Sequence, residues 1–314
     1  MTDASVMGKP PALKIIRFIL LLLLLLLLLI YAREVKEGVI YGMGISFTTV
    51  IPTLFPFFIL SDLLVTDVGV NHTGIVQKYL ARIMHISQKL VPSVALGYLC
   101  GFPLGVMAAA GYYKEGIIDE GEMDSATFLG TNPSAAFVIS GIGTGIYGSV
   151  SIGIILYFSV IVSSAIVGRF SNQKSSISRK PGVILRQRFS LVDSISSAGR
   201  TSISVASYII FFSALISLLS AMVRSELATG LFSMLLEISC ASLMIAKSSV
   251  TLEAKYVLTA FSLGFSGMSM QMQAMAMAHA KINRSRLIIK KALQGILAAA
   301  ITLVMIKIKE ALHI

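Results

Sequence analysis

Charged residues are scarce in this sequence. Only 13% of its 314 residues are Asp, Glu, Lys or Arg, and 55% are hydrophobic, whereas an average soluble domain has about 25% charged residues. The chain has no tryptophan and only two cysteines, Cys100 and Cys240, neither of which belongs to a Cys/His cluster. The composition therefore gives no basis for a disulfide framework or a zinc site, and it disfavours a soluble enzyme or a disordered regulator.

Acidic residues are fewer than basic ones. The 26 Lys and Arg against 15 Asp and Glu give a net charge of +11. In a soluble protein this excess would suggest a nucleic-acid partner, but the chain has too few polar residues to build a solvated basic face. Membrane proteins retain Lys and Arg in cytoplasmic loops, where they fix orientation. We therefore predict a multi-pass cell-membrane protein that contacts the lipid bilayer and does not bind nucleic acid.

The N-terminal region, residues 1–38, is predicted to hold a transmembrane helix. Ten consecutive leucines at positions 20–29 follow three cations, and no small-x-small cleavage site comes after them, so the helix is expected to remain uncleaved. Further apolar segments, most of them long enough to span a bilayer, lie at 39–65, 91–112, 126–147, 150–167, 202–223, 227–246, 256–278 and 287–306.

Loop charges predict the topology of the first half, residues 39–168. Seven cations and one acid between Arg169 and Arg200 give a charge of +6, which makes 169–201 the best candidate for a cytoplasmic loop. The N-terminus is also basic and is predicted to be cytoplasmic. Both ends can lie inside only if one of the five preceding segments does not cross. We expect a re-entrant break at Gly101–Gly105, because Gly and Pro interrupt helices there.

The topology of the second half, residues 202–314, stays open. Five cations between Lys281 and Lys291 favour the inside, which requires 227–246 to span, although Glu237 is a charge within it. An inverted second half would place the same cations outside. A second glycine-broken stretch lies at 263–271.

The two halves also echo each other. Residues 53–64 align with 207–218, and each segment is followed by a Leu-Gly-aromatic start to a glycine break, at 96–98 and 263–265. Paired broken helices in two halves point to the central site of a transporter. Short apolar strings can also match by chance.

Four motifs carry a resemblance to a known family. They are LFPFFILSDLL at 54–64, GFPLG at 101–105, NPSAAF at 132–137 with GIGTG at 141–145, and GFSGMS at 264–269 with Gln273. In this order they resemble the sporulation integral membrane protein YlbJ family, a branch of the nucleoside-recognition or Gate domain proteins. The resemblance implies an all-α polytopic membrane protein of about seven to nine hydrophobic segments, with two Gate-like halves. It also implies movement of dipicolinate into the developing spore, although Met107 stands where the family commonly has Lys.

The broken segments supply the candidate substrate-binding residues, because helix N-termini and exposed backbone N–H groups attract anions. These are Gly101, Phe102, Pro103, Gly105, Asn132, Ser134, Gly267, Ser269, Gln271 and Gln273. The alternative is that the breaks only pack helices together. Glu237 is a candidate coupling group, unless it belongs to a solvated face.

The sequence offers no convincing catalytic or metal-binding site. The cluster of Met268, Met270, Met272, Met275 and Met277 has the soft ligands that Cu(I) prefers, but it lacks His or Cys, and packing explains it better. No Ser/His/acid or paired-carboxylate set occurs in one neighbourhood. We therefore predict neither enzymatic activity nor a cofactor.

The predicted function is transport of a small organic solute, with dipicolinate during sporulation as the first choice. A nucleoside or other metabolite carrier is the second possibility, and a non-transporting assembly protein of the spore envelope is the third. Without an ATP-binding motif, energy would come from an ion gradient or downhill flow. A homo-oligomer is compatible with the sequence.

Overall fold

The protein is described by a computed structural model over residues 11–67, 74–171, 190–223 and 225–312, and these ranges contain helices but no strands. Several residues that set the predicted topology lie outside the described residues. They are Lys9, Lys174, Arg179, Lys180, Arg186 and Arg188.

One long helix follows the leucine-rich α1 (Pro11–Ile30). It is formed by α2 (Ala32–Ile45), a π-helical turn (Ser46–Val50) and α3 (Ile51–Asp67). The π turn immediately precedes a segment with Pro52 and Pro56, whose nitrogens cannot donate to the helix, and the Thr53 hydroxyl donates to the Thr49 carbonyl at 2.6 Å. The domain boundary predicted at residue 38 falls inside this helix.

The remaining elements complete a first half and form a second one. The first half continues with α4 (Ile75–Met84), a 3-10 turn (Gln88–Leu90), α5 (Val91–Leu99), α6 (Leu104–Lys114), α7 (Glu120–Gly130), a π-helical segment (Phe137–Thr144) and α8 (Val150–Ser171). The second half comprises α9 (Leu191–Val223), α10 (Glu226–Leu236), α11 (Ile238–Lys247), α12 (Leu252–Phe265), α13 (Gly267–Met277) and α14 (Arg284–Ala311). Each half thus has a long helix, two broken segments and another long helix, and the first half has α4 and the 3-10 turn in addition.

Four helices are long and apolar enough to cross a membrane in the described part of the chain: Ala32–Leu60, Val150–Phe170, Leu191–Val223 and Arg284–Ala311. The broken segments are too short for this, because a helix rises about 1.5 Å per residue and α5 has 9 residues. The break predicted in 91–112 is present. The expectation that 126–147 is a single span is wrong, because Asn132 and Pro133 end the helix, and 227–246 is likewise divided at Glu237.

Small residues bring the long helices together. Gly38 and Gly42 of α2 lie against Ser217 and Ser213 of α9, so closely that a Cβ on Gly42 would come within 2.8 Å of the Ser213 hydroxyl. Small residues at helix interfaces let backbones approach in membrane proteins. In the sequence analysis Gly42, Ser213 and Ser217 belong only to apolar segments, and Gly38 is the last residue of the N-terminal region.

The ends of the predicted basic loop belong to helices, since Arg169 lies in α8 and Arg200 in α9. Two of the five cations between Lys281 and Lys291 are buried side chains of α14. Lys290 is 4% exposed and Lys291 is 0% exposed, so neither can count as a loop charge. This removes part of the charge argument for the second half.

Candidate functional site

Four interruptions of helices meet at the centre of the fold. They lie between α5 and α6, between α7 and the π-helical segment, at Glu237 between α10 and α11, and at Ser266 between α12 and α13. The Phe102 amide donates to the Asn132 carbonyl at 2.7 Å, and the Ser266 hydroxyl donates to the Thr131 carbonyl at 3.0 Å. Breaks from the two halves are therefore bonded directly to one another.

Two glycines permit this close approach. Gly101 has a φ of +80° and Gly267 a φ of +52°, conformations that favour glycine. A Cβ on Gly101 would lie 2.6 Å from Ser134 Cα, and one on Gly267 would lie 3.3 Å from Glu237 Cα. Each glycine thus holds one break against the next.

A cavity that is partly open to solvent lies beside the four breaks, and its empty space, solvent included, is about 510 Å³. Ligand pockets in proteins are mostly apolar with a few polar groups. Here the polar groups come from the breaks. The lining residues are Val50, Leu54, Phe102, Pro133, Ser134, Phe137, Val205, Ile209, Glu237, Ile238, Ser239, Ser266, Ser269, Met270 and Gln273.

Glu237 is the charged residue in this lining. Its side chain caps the N-terminus of α11, where Oε2 accepts the Cys240 amide at 2.7 Å, and Ser239 also donates to it. The residue is 3% exposed. No Lys, Arg or His belongs to the described lining, so no cation accompanies Glu237 in the cavity wall.

Gln273 presents a second polar group to the cavity. Its Nε2 donates to the Ser269 hydroxyl at 3.3 Å, but its buried Oε1 has no hydrogen-bond partner among the described residues. Gln273 is 3% exposed. A buried unsatisfied acceptor costs free energy.

Lys291 of α14 lies directly behind the crossing of the breaks. Its ammonium donates to the Thr131 carbonyl, to Asn132 Oδ1 at 3.3 Å and to Gln294 Oε1 at 2.9 Å. Gln294 Nε2 in turn donates to Asn132 Oδ1 at 2.7 Å. The three oxygens match the three donors of an ammonium group.

The position of Lys291 suits a positive charge in a second way. Thr131 is the C-terminal cap of α7, and cations are stabilised at helix C-termini by the helix dipole. The ammonium also lies 5.0 Å from the centre of the Phe128 ring, within the range of a cation–π interaction.

Sequence reasoning missed Lys291 and Gln294 as site residues. The signal that could have found them is helical register, because both fall on the buried face of α14 that also carries Leu287, Ala298 and Thr302. In the sequence analysis, Lys291 is only one of the five cations of a predicted loop.

The structure separates the predicted site residues into three groups. Phe102, Ser134, Ser269, Gln273 and Glu237 line the cavity. The positions beside it that shape the breaks are Gly101, Pro103 and Gly267.

The third group, Gly105, Asn132 and Gln271, neither lines the cavity nor forms a break. Gly105 packs against Gly97 and Gly130, Asn132 belongs to the Lys291 network, and Gln271 donates to the Phe265 carbonyl at 2.8 Å, at the end of α12. These residues pack or hydrogen-bond behind the breaks. In the part of the chain described, no group of three His, Cys, Asp or Glu side chains could hold a metal ion.

Over the residues that the structure describes, helices without strands, four potential spans and a central cavity between broken helices define an all-α polytopic membrane protein. The chain is 24% identical, over an alignment of 313 residues, to the sporulation integral membrane protein YlbJ of Bacillus subtilis (strain 168), covering 85% of this chain and 76% of that relative. This similarity supports membership of the chain in the YlbJ family, as its motifs predict. It also supports the assignment of the chain as a membrane protein in sporulation. No protein-family model and no solved structure matches the chain.

Proposed function

We propose that this protein carries a small organic solute across the membrane and that the cavity beside the four breaks is its binding site. The observation that carries the proposal is the convergence of breaks from both halves on one cavity. Broken helices with exposed backbone groups are tolerated at membrane depth where they line a cavity, and transporters bind substrates there.

Dipicolinate is the first candidate solute. The YlbJ relationship indicates sporulation, and the cavity offers Phe102 and Phe137 to an aromatic ring. Serine hydroxyls and the N-termini of α11 and α13 provide donors for carboxylates. A nucleoside or another neutral metabolite is the second candidate, because Glu237 and Gln273 present acceptors rather than cations.

Spores of a strain lacking this gene test the proposal. We expect their dipicolinate content to fall severely and a plasmid copy to restore it. Purified protein in liposomes should also take up radiolabelled dipicolinate. Normal dipicolinate content in the spores would contradict the assignment, and normal content combined with defective envelopes would favour a non-transporting assembly protein.

Blocking the cavity should abolish transport without unfolding the protein. Val205 of α9 lines the cavity, so Val205→Phe is expected to fill part of the solute space and to lower uptake at least tenfold at an unchanged membrane level. Ile203→Phe is the matched control, because Ile203 is 68% exposed on the same helix. Equal uptake by both variants in liposomes would place the solute elsewhere.

A further inference from the structure

We propose that α4 lies flat in the interface between the bilayer and water, with its apolar side chains among the acyl chains and its cations against the headgroups of anionic lipids. This assigns a lipid-binding surface to a helix none of whose described side chains line the cavity. The assignment goes beyond solute transport and holds whichever solute the protein carries.

The exposed face of α4 carries two rows of side chains. Ile75, Tyr79 and Ile83 stand at every fourth position and are all exposed, Ile75 by 86%. Lys78 and Arg82 form a second exposed row. At about 100° per residue, the second row lies about 80° around the helix from the first. An apolar row beside a cationic row is typical of helices that lie in the membrane interface.

Packing fixes the orientation of α4, because its other side belongs to the core. Ala81 and Met84 are buried, and Met84 lies in a hydrophobic cluster with Phe128 and Leu287. The two exposed rows must therefore face away from the protein. With 10 residues the helix rises only about 15 Å, which is half the thickness of the hydrocarbon core, so the apolar row cannot belong to a span.

The end of α8 sets the depth of α4. The potential span Val150–Phe170 has 21 residues and rises about 32 Å, close to the roughly 30 Å of the hydrocarbon core, which places Arg169 at its edge. The Arg169 guanidinium donates to the Arg82 carbonyl at 2.8 Å and to the Ile83 carbonyl at 3.3 Å. These carbonyls end α4 without a helical partner. α4 is thus tied to the level where acyl chains meet headgroups.

The charge of this surface selects an anionic partner. No Asp or Glu occurs between residues 74 and 89, a stretch that carries three cations. Within the described ranges neither Lys78 nor Arg82 is paired with a carboxylate. Cations beside a membrane attract its acidic headgroups, and the ring of Tyr79 suits the interface, where tyrosine is enriched. The apolar and the charged row therefore fit the same occupant, an acidic phospholipid.

The lack of tryptophan in the chain allows one introduced indole to report the depth of α4. The full chain with Tyr79→Trp is reconstituted into vesicles whose acyl chains carry bromine, a quencher of nearby indoles, at a shallow or a deep position. We expect shallow bromine to quench best. Phe158→Trp is the matched control, because Phe158 is exposed about 16 Å along α8 from Arg169; deep bromine should quench it best.

The headgroup preference is measured with the same reporter in α4. Brominated phosphatidylglycerol should be preferred over brominated phosphatidylcholine by about fivefold, the factor that one cation near an anionic surface contributes. Adding Lys78→Gln and Arg82→Gln should abolish this preference. Lys307→Gln with Lys309→Gln is the matched control, because Lys309 donates to the Ser151 hydroxyl at the other end of α8; the preference should be unchanged.

Shallow quenching together with a phosphatidylglycerol preference that requires Lys78 and Arg82 would support the proposal. Quenching by acrylamide from the water without quenching by bromine would overturn it, since α4 would then lie outside the bilayer. Shielding from both quenchers would also overturn it, because a protein would then cover the face. Equal quenching by the two lipids, or a preference that survives Lys78→Gln with Arg82→Gln, would overturn the binding of anionic headgroups.

Discussion

Lys291→Met is expected to lower the free energy of unfolding by roughly 2–4 kcal/mol, because buried hydrogen bonds from a charged donor are lost and an acceptor is left unpaired. Gln294 Oε1 loses its ammonium donor, while the Thr131 carbonyl keeps the Ser266 hydroxyl. The attraction between the ammonium and the C-terminus of α7 also disappears. Removing the desolvation cost of a buried charge offsets part of this loss.

Unfolding can be followed through the two cysteines. Cys240 is buried and Cys100 is partly buried, so a thiol-reactive dye reports on opening of the fold during denaturant and thermal titrations. Lys309→Met is the control, because Lys309 lies on the same helix and its hydrogen bond to the Ser151 hydroxyl, at 2.7 Å, is exposed. A Lys291→Met protein as stable as wild type would mean that relief of desolvation outweighs the lost hydrogen bonds.

The long helices could be predicted from the sequence because length and apolar composition alone determine whether a segment can span. Periodicity carries less information in such helices, since both the lipid-facing and the buried faces are apolar. Helical register therefore identifies the buried face only where that face carries polar residues, as in α14. Treating Lys290 and Lys291 as loop charges ignored this register.

The breaks were predictable to different degrees. Glycine and proline mark the one between α5 and α6, and glycine marks the one at Ser266. At Glu237 the chain leaves helical geometry at a single residue, with φ of −152° and ψ of 125°, and no Gly or Pro marks the place. The Glu237 side chain caps the helix that follows by accepting the Cys240 amide, and Glu is not one of the residues that usually mark such a cap in a sequence.

The sequence predicted only part of the correspondence between the two halves. The alignment of 53–64 with 207–218 matches α3 with α9, which occupy the same place in the order of elements. The two Leu-Gly-aromatic strings do not occupy the same place, because residues 96–98 lie in α5, in the first broken segment of its half, whereas 263–265 lie in α12, in the second. Each half has two broken segments, so a Leu-Gly-aromatic string can match the wrong one.

Gly101→Ala is expected to destabilise the protein by about 2–4 kcal/mol, combining a left-handed conformation that costs an alanine roughly 1–2 kcal/mol with a steric clash. The added methyl group would lie 2.6 Å from Ser134 Cα and 2.7 Å from Ser134 Cβ, and backbone on both sides prevents a small local adjustment. Relief requires separating the α5–α6 break from the next one, which breaks the hydrogen bond between Phe102 and Asn132 and deforms the cavity.

The same substitution ten residues later serves as the control. Gly111 lies in α6, and a Cβ there meets nothing within 4 Å, so Gly111→Ala should be neutral or stabilise the helix by up to about 1 kcal/mol. In Gly101→Ala the membrane level, the free energy of unfolding measured with the dye and the uptake of dipicolinate should all fall. In Gly111→Ala none of the three should fall. Loss of uptake by Gly101→Ala at normal stability would instead show that the glycine is needed for solute contact, since a packing role requires the fold to weaken with it.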